Sequence, residues 1–280
     1  MALVALDHPL PGTLRSFAVL VERELAARLG SFWMYLLATV ACVIAVIHGG
    51  AFQSAFETET VVVSSNPLAM LNSVIAAFLA LVLGLRLAAS LSWEREHQTV
   101  EVLLVAPVGA RAVLLAKFVS ELVVLVLIVA IYAAFLVLGQ PLGNGVVRWR
   151  DMVFLAALVP AMLPVMALAL LVSSFLSHVR VAVLAYLIVV GALAAYEIVL
   201  AVLQSSQPQD LSLLQIYLRA GLFAVEPIVG HLSAVAPLAD LVQAAARQTP
   251  MGWLDLVWPA ALALVTLGFA AETFRVRGGR

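Results

Sequence analysis

The feature that most constrains this chain is a series of apolar runs, each about twenty residues long and separated by short polar breaks. The hydrocarbon core of a bilayer is about 30 Å thick, so an α-helix that crosses it needs about 20 mostly apolar residues. Six runs fit, and they predict spans at residues 32–49, 71–91, 113–137, 152–176, 180–203 and 253–271. The predicted fold is therefore an all-α integral membrane domain with six transmembrane helices, a single unit over residues 1–280.

The composition supports this class. Hydrophobic residues make up 64% of the chain and charged residues only 11%, against roughly 25% charged residues in soluble domains. This excludes an ordinary soluble enzyme, and a net charge of −1 gives no reason to expect a nucleic-acid partner. The single cysteine, Cys42, lies in the first apolar run, which excludes an intrachain disulfide and a cysteine-based metal cluster.

Residues 13–30 precede the first span and predict an amphipathic helix. Its apolar positions recur at helical spacing, and they are Leu14, Phe17, Val21, Leu25 and Leu29. The charged positions, which we place elsewhere on the helical wheel, are Arg15, Glu22, Arg23 and Arg28. We expect this helix to lie along the membrane interface. A cytosolic stalk continuous with the first span is the alternative.

The distribution of basic residues predicts the orientation. With both termini inside, roughly ten Lys and Arg residues fall on the inner side and four on the outer side. Because inner loops of membrane proteins are enriched in basic residues, both termini are predicted to be cytoplasmic. Residues 92–111 are then also cytoplasmic, and residues 204–252 face outward.

The long segment 204–252 is too apolar for a solvated loop and too interrupted for a clean span. The interruptions are Glu226, Pro227, His231, Pro237 and Asp240. We predict two short helices, re-entrant or interfacial, whose broken backbone is satisfied by packing against protein. A seventh span near residues 211–225 is the alternative.

No pattern for catalysis occurs in the sequence. There is no phosphate-binding G-x-x-x-x-G-K-[ST], and the only lysine, Lys117, follows Leu114, Leu115 and Ala116 instead of a glycine loop. The five histidines show no metal-binding spacing, and no G-x-S-x-G occurs. We therefore predict no catalytic residue, no metal site and no bound cofactor, and any dependence on ATP must come from another polypeptide.

The inner segment 92–111 is the most charged part of the chain. Thr99 can cap a short helix that Pro107 limits, and Glu101 favours its positive end. Val100, Leu103 and Leu104 would share one face of that helix. Such an apolar ridge with acidic flanks suits a helix-in-groove contact with a soluble partner. The alternative is a charged loop that only separates two spans.

This segment resembles the signature of the ABC-2 type permease family. The matching residues are Glu94, Arg95, Glu96, Thr99, Glu101, Leu103, Leu104, Pro107, Val108, Arg111 and Lys117, and the departures are Gln98, where glycine is usual, and Ala116. The resemblance implies that this segment docks on a separate ABC ATP-binding subunit, which would bind the ATP. The residues implied in coupling are Glu94, Arg95, Glu96, Thr99, Glu101, Leu103, Leu104 and Pro107.

The resemblance extends over the whole chain. Within the family, the chain is most similar to the branch of gliding-motility and nitrous-oxide-reductase maturation permeases. It implies an exporter in the bacterial cytoplasmic membrane. It also implies a second copy of the permease, or a homologous permease, as a partner within the bilayer.

Charged residues also lie within or near the predicted spans, where ionisable groups are costly and often functional, and three of them are candidate sites. Arg86 and Glu121 lie near the inner ends of the second and third spans and are placed to form a pair. Glu197 lies deeper in the fifth span, towards the outer side. They suggest either structural pairing or a substrate path. Two other functions stay open, an ion-coupled secondary transporter that uses these residues as a charge relay and a membrane anchor without a transport path.

Overall fold

The computed structural model describes residues 12–59, 67–97, 110–139, 149–205, 213–247, 249 and 252–278. Within these ranges the chain forms nine α-helices and no β-strand, which confirms the all-α prediction. The helices are α1 (Gly12–Leu29), α2 (Phe32–Glu59), α3 (Pro67–Glu96), α4 (Ala110–Gly139), α5 (Trp149–Phe175), α6 (Val179–Ser205), α7 (Leu213–Leu232), α8 (Ala236–Arg247) and α9 (Trp253–Gly278).

Five helices, α3 to α6 and α9, are each long and apolar enough to cross a membrane, and they coincide with five of the six predicted spans. The first predicted span corresponds to the start of α2, which meets the same criterion only together with α1, across a bend of 57°. The helices α7 and α8 form a second such pair, bent by 102°. The described chain thus has five to seven candidate spans, and the arrangement with six spans stays a prediction.

Several helices are longer than predicted. The helix α2 continues to Glu59 instead of ending at residue 49, and α3 starts at Pro67 and continues to Glu96. The loop expected from residue 92 therefore begins later, because no glycine or proline interrupts residues 92–96 and the last turn of α3 has packing partners of its own. Residues 98–109 lie outside the described residues.

The helix α5 is the centre of the bundle and packs against α3, α4, α6, α8 and α9. Its small buried residues Ala157, Ala161 and Ala167 let neighbouring backbones approach closely. The helix continues through Pro160 and Pro164, as membrane helices can when neighbouring groups satisfy the freed carbonyls. This packing sets the positions of the helices on either side of α5.

A continuous stripe on α3 faces the core. Its fully buried residues recur every four positions, and they are Ile75, Leu79, Leu83, Leu87 and Leu91. On the next face, Gly84 leaves room for Tyr186 of α6, whose hydroxyl donates a hydrogen bond to the carbonyl of Ala80 (2.9 Å). A Cβ atom at position 84 would lie 1.8 Å from that hydroxyl oxygen, so only glycine allows this approach.

The outward faces of the long helices carry large apolar side chains, among them Ile188 of α6 and Leu264 and Phe269 of α9, all well exposed. In water such a surface would be costly, whereas in a bilayer it contacts lipid tails. The bundle is therefore built as a multi-pass membrane protein.

Candidate coupling site

A lysine between two carboxylates joins three helices at one end of the bundle. Nζ of Lys117, on α4, lies 2.7 Å from Oε1 of Glu94 on α3 and 3.6 Å from Oε1 of Glu24 on α1. The Lys117 side chain is only 5% exposed. A buried ammonium group is tolerated only when it is paired, so these contacts fix the three helices relative to one another.

A second set of ion pairs joins the same three helices. Glu121 of α4 is fully buried, with Nη1 of Arg28 (α1) 3.2 Å from Oε2 and Nε of Arg86 (α3) 3.4 Å from Oε1. The pair expected between Arg86 and Glu121 is therefore present. The additional guanidinium group of Arg28 ties the N-terminal helix to the same carboxylate.

Together these six residues form one electrically balanced group, with three carboxylates and three cations. We call it the charge cluster, and its members are Glu24, Arg28, Arg86, Glu94, Lys117 and Glu121. Glu24 lies on α1, outside the predicted spans. Burial raises the pKa of its carboxyl, but Lys117, Arg23 and Arg28 together outweigh burial and hold the pKa below its usual value. This carboxylate is therefore charged at neutral pH.

The position of Arg28 corrects the sequence analysis, which placed it away from the packed face of α1. Phe17, Val21, Glu24 and Arg28 are spaced by three or four residues and share one face. This face is partly buried, and α1 packs against α4. The prediction that Arg28 lies off the packed face is therefore wrong, and the helical spacing of Arg28 from Glu24 and Val21 is the sequence signal for its true position.

The last turn of α3 is also fastened to the end of α5. Oγ of Ser173 accepts hydrogen bonds from the backbone N–H groups of Leu91 and Ser92, each at 3.2 Å. The hydroxyl of Ser92 donates to the carbonyl of Leu176 at 3.0 Å. Ser92 and Ser173 are fully buried, so these bonds satisfy polar groups that would otherwise be costly.

Arg95 and Glu96 extend these contacts to α6 and α9. Nη1 of Arg95 donates to the carbonyl of Ser174 at 2.9 Å, and its guanidinium group lies 5.2 Å from the ring centre of Phe274 on α9. Oε2 of Glu96 accepts a hydrogen bond from the backbone N–H of Val179 at 3.2 Å, in the first turn of α6. Acceptance of an N–H at a helix start is favourable because that end is positive.

The predicted coupling residues therefore fall into two groups. Glu94, Arg95 and Glu96 belong to α3 and contact other helices of this chain. The others lie outside the described residues, so their role and the short helix that contains them stay predictions, and they are Thr99, Glu101, Leu103, Leu104 and Pro107.

Sequence reasoning missed the contribution of α1 and of the serines. Glu24 is as little exposed as Glu94, at 14%, and only its helical spacing from Val21 and Arg28 separates it from the exposed Glu22. Ser92 and Ser173 are ordinary residues of apolar helices by sequence. Only the spacing on α1 carried a usable signal.

Glu197 lies elsewhere. Val179 at the start of α6 contacts Glu96, and Glu197 lies about five turns further along the same helix. Among the described residues, the ion pairs of Arg86 and Glu121 do not include Glu197. The three residues expected to form a charge relay thus belong to two different sites, which is unfavourable for the reading as an ion-coupled transporter.

Comparison with known families gives a match over most of the chain. Residues 50–270 match the profile described as ABC-2 family transporter protein. No curated protein matches the chain. The matched range extends from α2 into α9 and includes segment 98–109, whereas α1 with Glu24 and Arg28 precedes it.

Proposed function

Because the chain belongs to the ABC-2 transporter family, we propose that it is the permease subunit of an exporter and that a separate ABC ATP-binding subunit drives it through segment 98–109. Family membership and the membrane-spanning helices support a transporter permease. What we add as a proposal is that transport is outward, that a separate ATP-binding subunit drives it, and that this subunit contacts segment 98–109. The observation that carries it is the anchoring of both helices that flank segment 98–109 in one buried charge cluster.

The flanking helices are held together at two levels. Near segment 98–109, Glu94 of α3 contacts Lys117 of α4. Towards the other end of the same helices, the hydroxyl of Tyr132 donates to Oδ1 of Asn72 at 3.1 Å, in a buried position. A force on the segment would therefore move α3 and α4 together instead of separating them, since both contacts would have to break first.

The same force would reach the rest of the bundle through the end of α3. Arg95 and Ser92 bond to the carbonyls of Ser174 and Leu176 between α5 and α6, and Glu96 bonds to the start of α6. In this mechanism Glu94, Arg95 and Glu96 are positioning residues that transmit movement. The direct contact with the ATP-binding subunit would come from Leu103 and Leu104.

The helix α1 would stabilise the position of α4 during this movement. Arg28 and Glu24 connect it to α4 on the side of segment 98–109. We place this end of the bundle in the cytoplasm, with both termini, in a bacterial cytoplasmic membrane, as the basic residues suggest. A second permease copy, or a homologous permease, would complete the transport path within the bilayer.

The test is the contact itself. The chain, extracted from its native membrane in mild detergent, is expected to bring an ABC ATP-binding subunit with it. Leu103→Ala combined with Leu104→Ala should weaken that binding several-fold, since truncation of an anchoring side chain in a groove often costs more than about 1 kcal/mol. Affinity is measured with the purified ATP-binding subunit.

The matched control is Leu184→Ala with Leu187→Ala, the same double change on the exposed face of α6, which should leave the affinity unchanged. The purified chain without its partner should show no ATPase activity above background. Unchanged binding and transport in the Leu103 and Leu104 double variant would make segment 98–109 a linker and would refute the proposed contact.

A further inference from the structure

A cavity of about 540 Å³ lies at the end of α6 that is remote from Glu96. It is partly open, and its lining residues come from α5, α6, α7, α8 and the first turns of α9. Its volume falls in the range of small-molecule sites, about 300–1,000 Å³. The cavity therefore has the size for a ligand of its own.

The cavity is strongly acidic. Four carboxylates line it, from Glu197, Glu226, Asp240 and Asp255. Its described lining contains no lysine and no arginine, and His231 is its only basic side chain. Four carboxylates with no permanent cation repel an anionic ligand and attract a cation.

A second observation, independent of the acidic lining, also points to a ligand, and it is a buried oxygen of Glu197 that lacks a hydrogen-bond donor within the described part of the chain. Glu197 is only 8% exposed. The Ser233 hydroxyl donates a hydrogen bond to its carboxylate. The oxygen Oε1 is nevertheless buried with no hydrogen-bond partner among the described residues. Asp255 differs, because its Oδ2 accepts a hydrogen bond from the N–H of Gly252 at 2.8 Å. A buried carboxylate oxygen without a donor is costly, and a bound ligand with an N–H group would remove that cost.

The other lining residues indicate what the ligand carries besides its positive charge. Leu200, Leu241 and the ring of Trp258 supply apolar surface next to the carboxylates, and an indole ring also attracts cations. Within the described residues, no three His, Cys, Asp or Glu side chains are placed to hold a metal ion. The lining therefore fits an organic cation better than an inorganic one.

We propose that this cavity binds an organic cation, a primary ammonium group on an apolar body, with Glu197 as its counter-ion. The ligand would be the cargo of the permease, so this inference rests on the proposed function. Two sources share this chemistry, a free amphiphilic amine and a lipid with an amine headgroup. Glu226 and Asp240 would add to the field that attracts the ligand.

The experiment uses the full chain in nanodiscs of phosphatidylcholine, which has no primary amine. Hexylamine, protonated at neutral pH, is titrated by calorimetry, with empty nanodiscs subtracted. We expect saturable binding, at least tenfold weaker for 1-hexanol and at least tenfold weaker for Glu197→Gln. This variant removes a buried charge and should fold at least as well, which thermal unfolding checks.

Two further variants serve as a second test and as a control. Glu226→Gln with Asp240→Asn changes side chains that are not fully buried and should weaken binding a few-fold. Glu22→Gln, exposed on α1, should leave it unchanged. The proposal is wrong if hexylamine does not saturate, if 1-hexanol binds equally well, or if Glu197→Gln binds hexylamine as tightly as the unmodified chain.

A second set of nanodiscs, with phosphatidylethanolamine, separates the sources. If a lipid is the ligand, its headgroup competes and the apparent affinity for hexylamine falls several-fold; if a free amine is the ligand, the affinity is unchanged. Both results support an ammonium site. Because this binding needs no ATP-binding subunit, its failure would leave the proposed coupling standing, and a failure of coupling would leave the cation site standing.

Discussion

Nζ of Lys117 lies 2.7 Å from Oε1 of Glu94, the closest contact in the charge cluster. The two residues flank segment 98–109, one near the end of α3 and the other in the second turn of α4. Both belong to the motif that resembles the family signature, yet the sequence does not place them in contact. Their pairing makes Glu94 an internal anchor of the bundle, so in the proposed mechanism segment 98–109 supplies the contact with a soluble partner.

The pair is expected to stabilise the bundle. Glu94→Gln leaves the buried Lys117 with Glu24 at 3.6 Å and should lower the free energy of unfolding by up to about 3 kcal/mol. Lys117→Met combined with Glu94→Gln should cost less than the sum of the two single changes, because the residues interact. Thermal unfolding in detergent measures all three. The control, Arg275→Gln, removes a contact with Glu272 in which both side chains are exposed, and it should change the melting temperature much less because solvent screens an exposed ion pair.

Arg28 is expected to hold α1 against α4. Arg28→Gln removes one of two guanidinium groups from the buried Glu121. Loss of a buried ion pair costs about 3–5 kcal/mol when the remaining charge has no partner, and the cost should be smaller here because Arg86 still pairs with Glu121. The N-terminal helix should then be cleaved faster by a protease added to the purified chain. Arg23→Gln is the matched control, since the side chain of Arg23 is 58% exposed. Equal cleavage rates in the two variants would mean that Arg28 does not anchor α1.

Gly84 is expected to be intolerant of any side chain. A Cβ atom there would overlap the hydroxyl of Tyr186, and overpacking of this kind costs about 1–3 kcal/mol. Gly84→Ala should therefore lower the thermal stability of the bundle. Gly191→Ala, on the open side of α6 where nothing lies within 4 Å, should be neutral or slightly stabilising. Similar melting temperatures for the two variants would contradict the close approach of α3 and α6.

The orientation has a direct test by cysteine labelling on a Cys42→Ala background. A cysteine at His97 should be inaccessible to a reagent that cannot cross the membrane, whereas one at Arg247 should react in intact cells. Both positions are exposed in the fold, so the difference would report the side of the membrane. Labelling of position 97 from outside would contradict the predicted orientation and place both termini outside the cell.

The sequence by itself determined the class of fold and the approximate places of the long helices. Apolar runs of about twenty residues are local features, and in lipid their backbone can be satisfied only within a helix. Five predicted spans therefore coincide with α3 to α6 and α9. The two helices expected within residues 204–252 also form, as α7 and α8, with a sharp bend between them. The ends of helices were less determined, because α2 and α3 continue past the apolar runs that defined them.

Apart from the pair of Arg86 and Glu121, only the tertiary structure decided which charged residues meet. Glu24 and Glu22 lie two positions apart, yet Glu24 is partly buried and pairs with Lys117 whereas Glu22 is exposed. The acidic cavity likewise brings together Glu197 and Asp255 from helices far apart in the sequence. The hydropathy of a window fixes that a helix forms, but not its rotation or its register against its neighbours. Those are set by close packing, such as that of the Tyr186 side chain against the backbone of Gly84, and they decide whether a charge faces lipid, water or another charge.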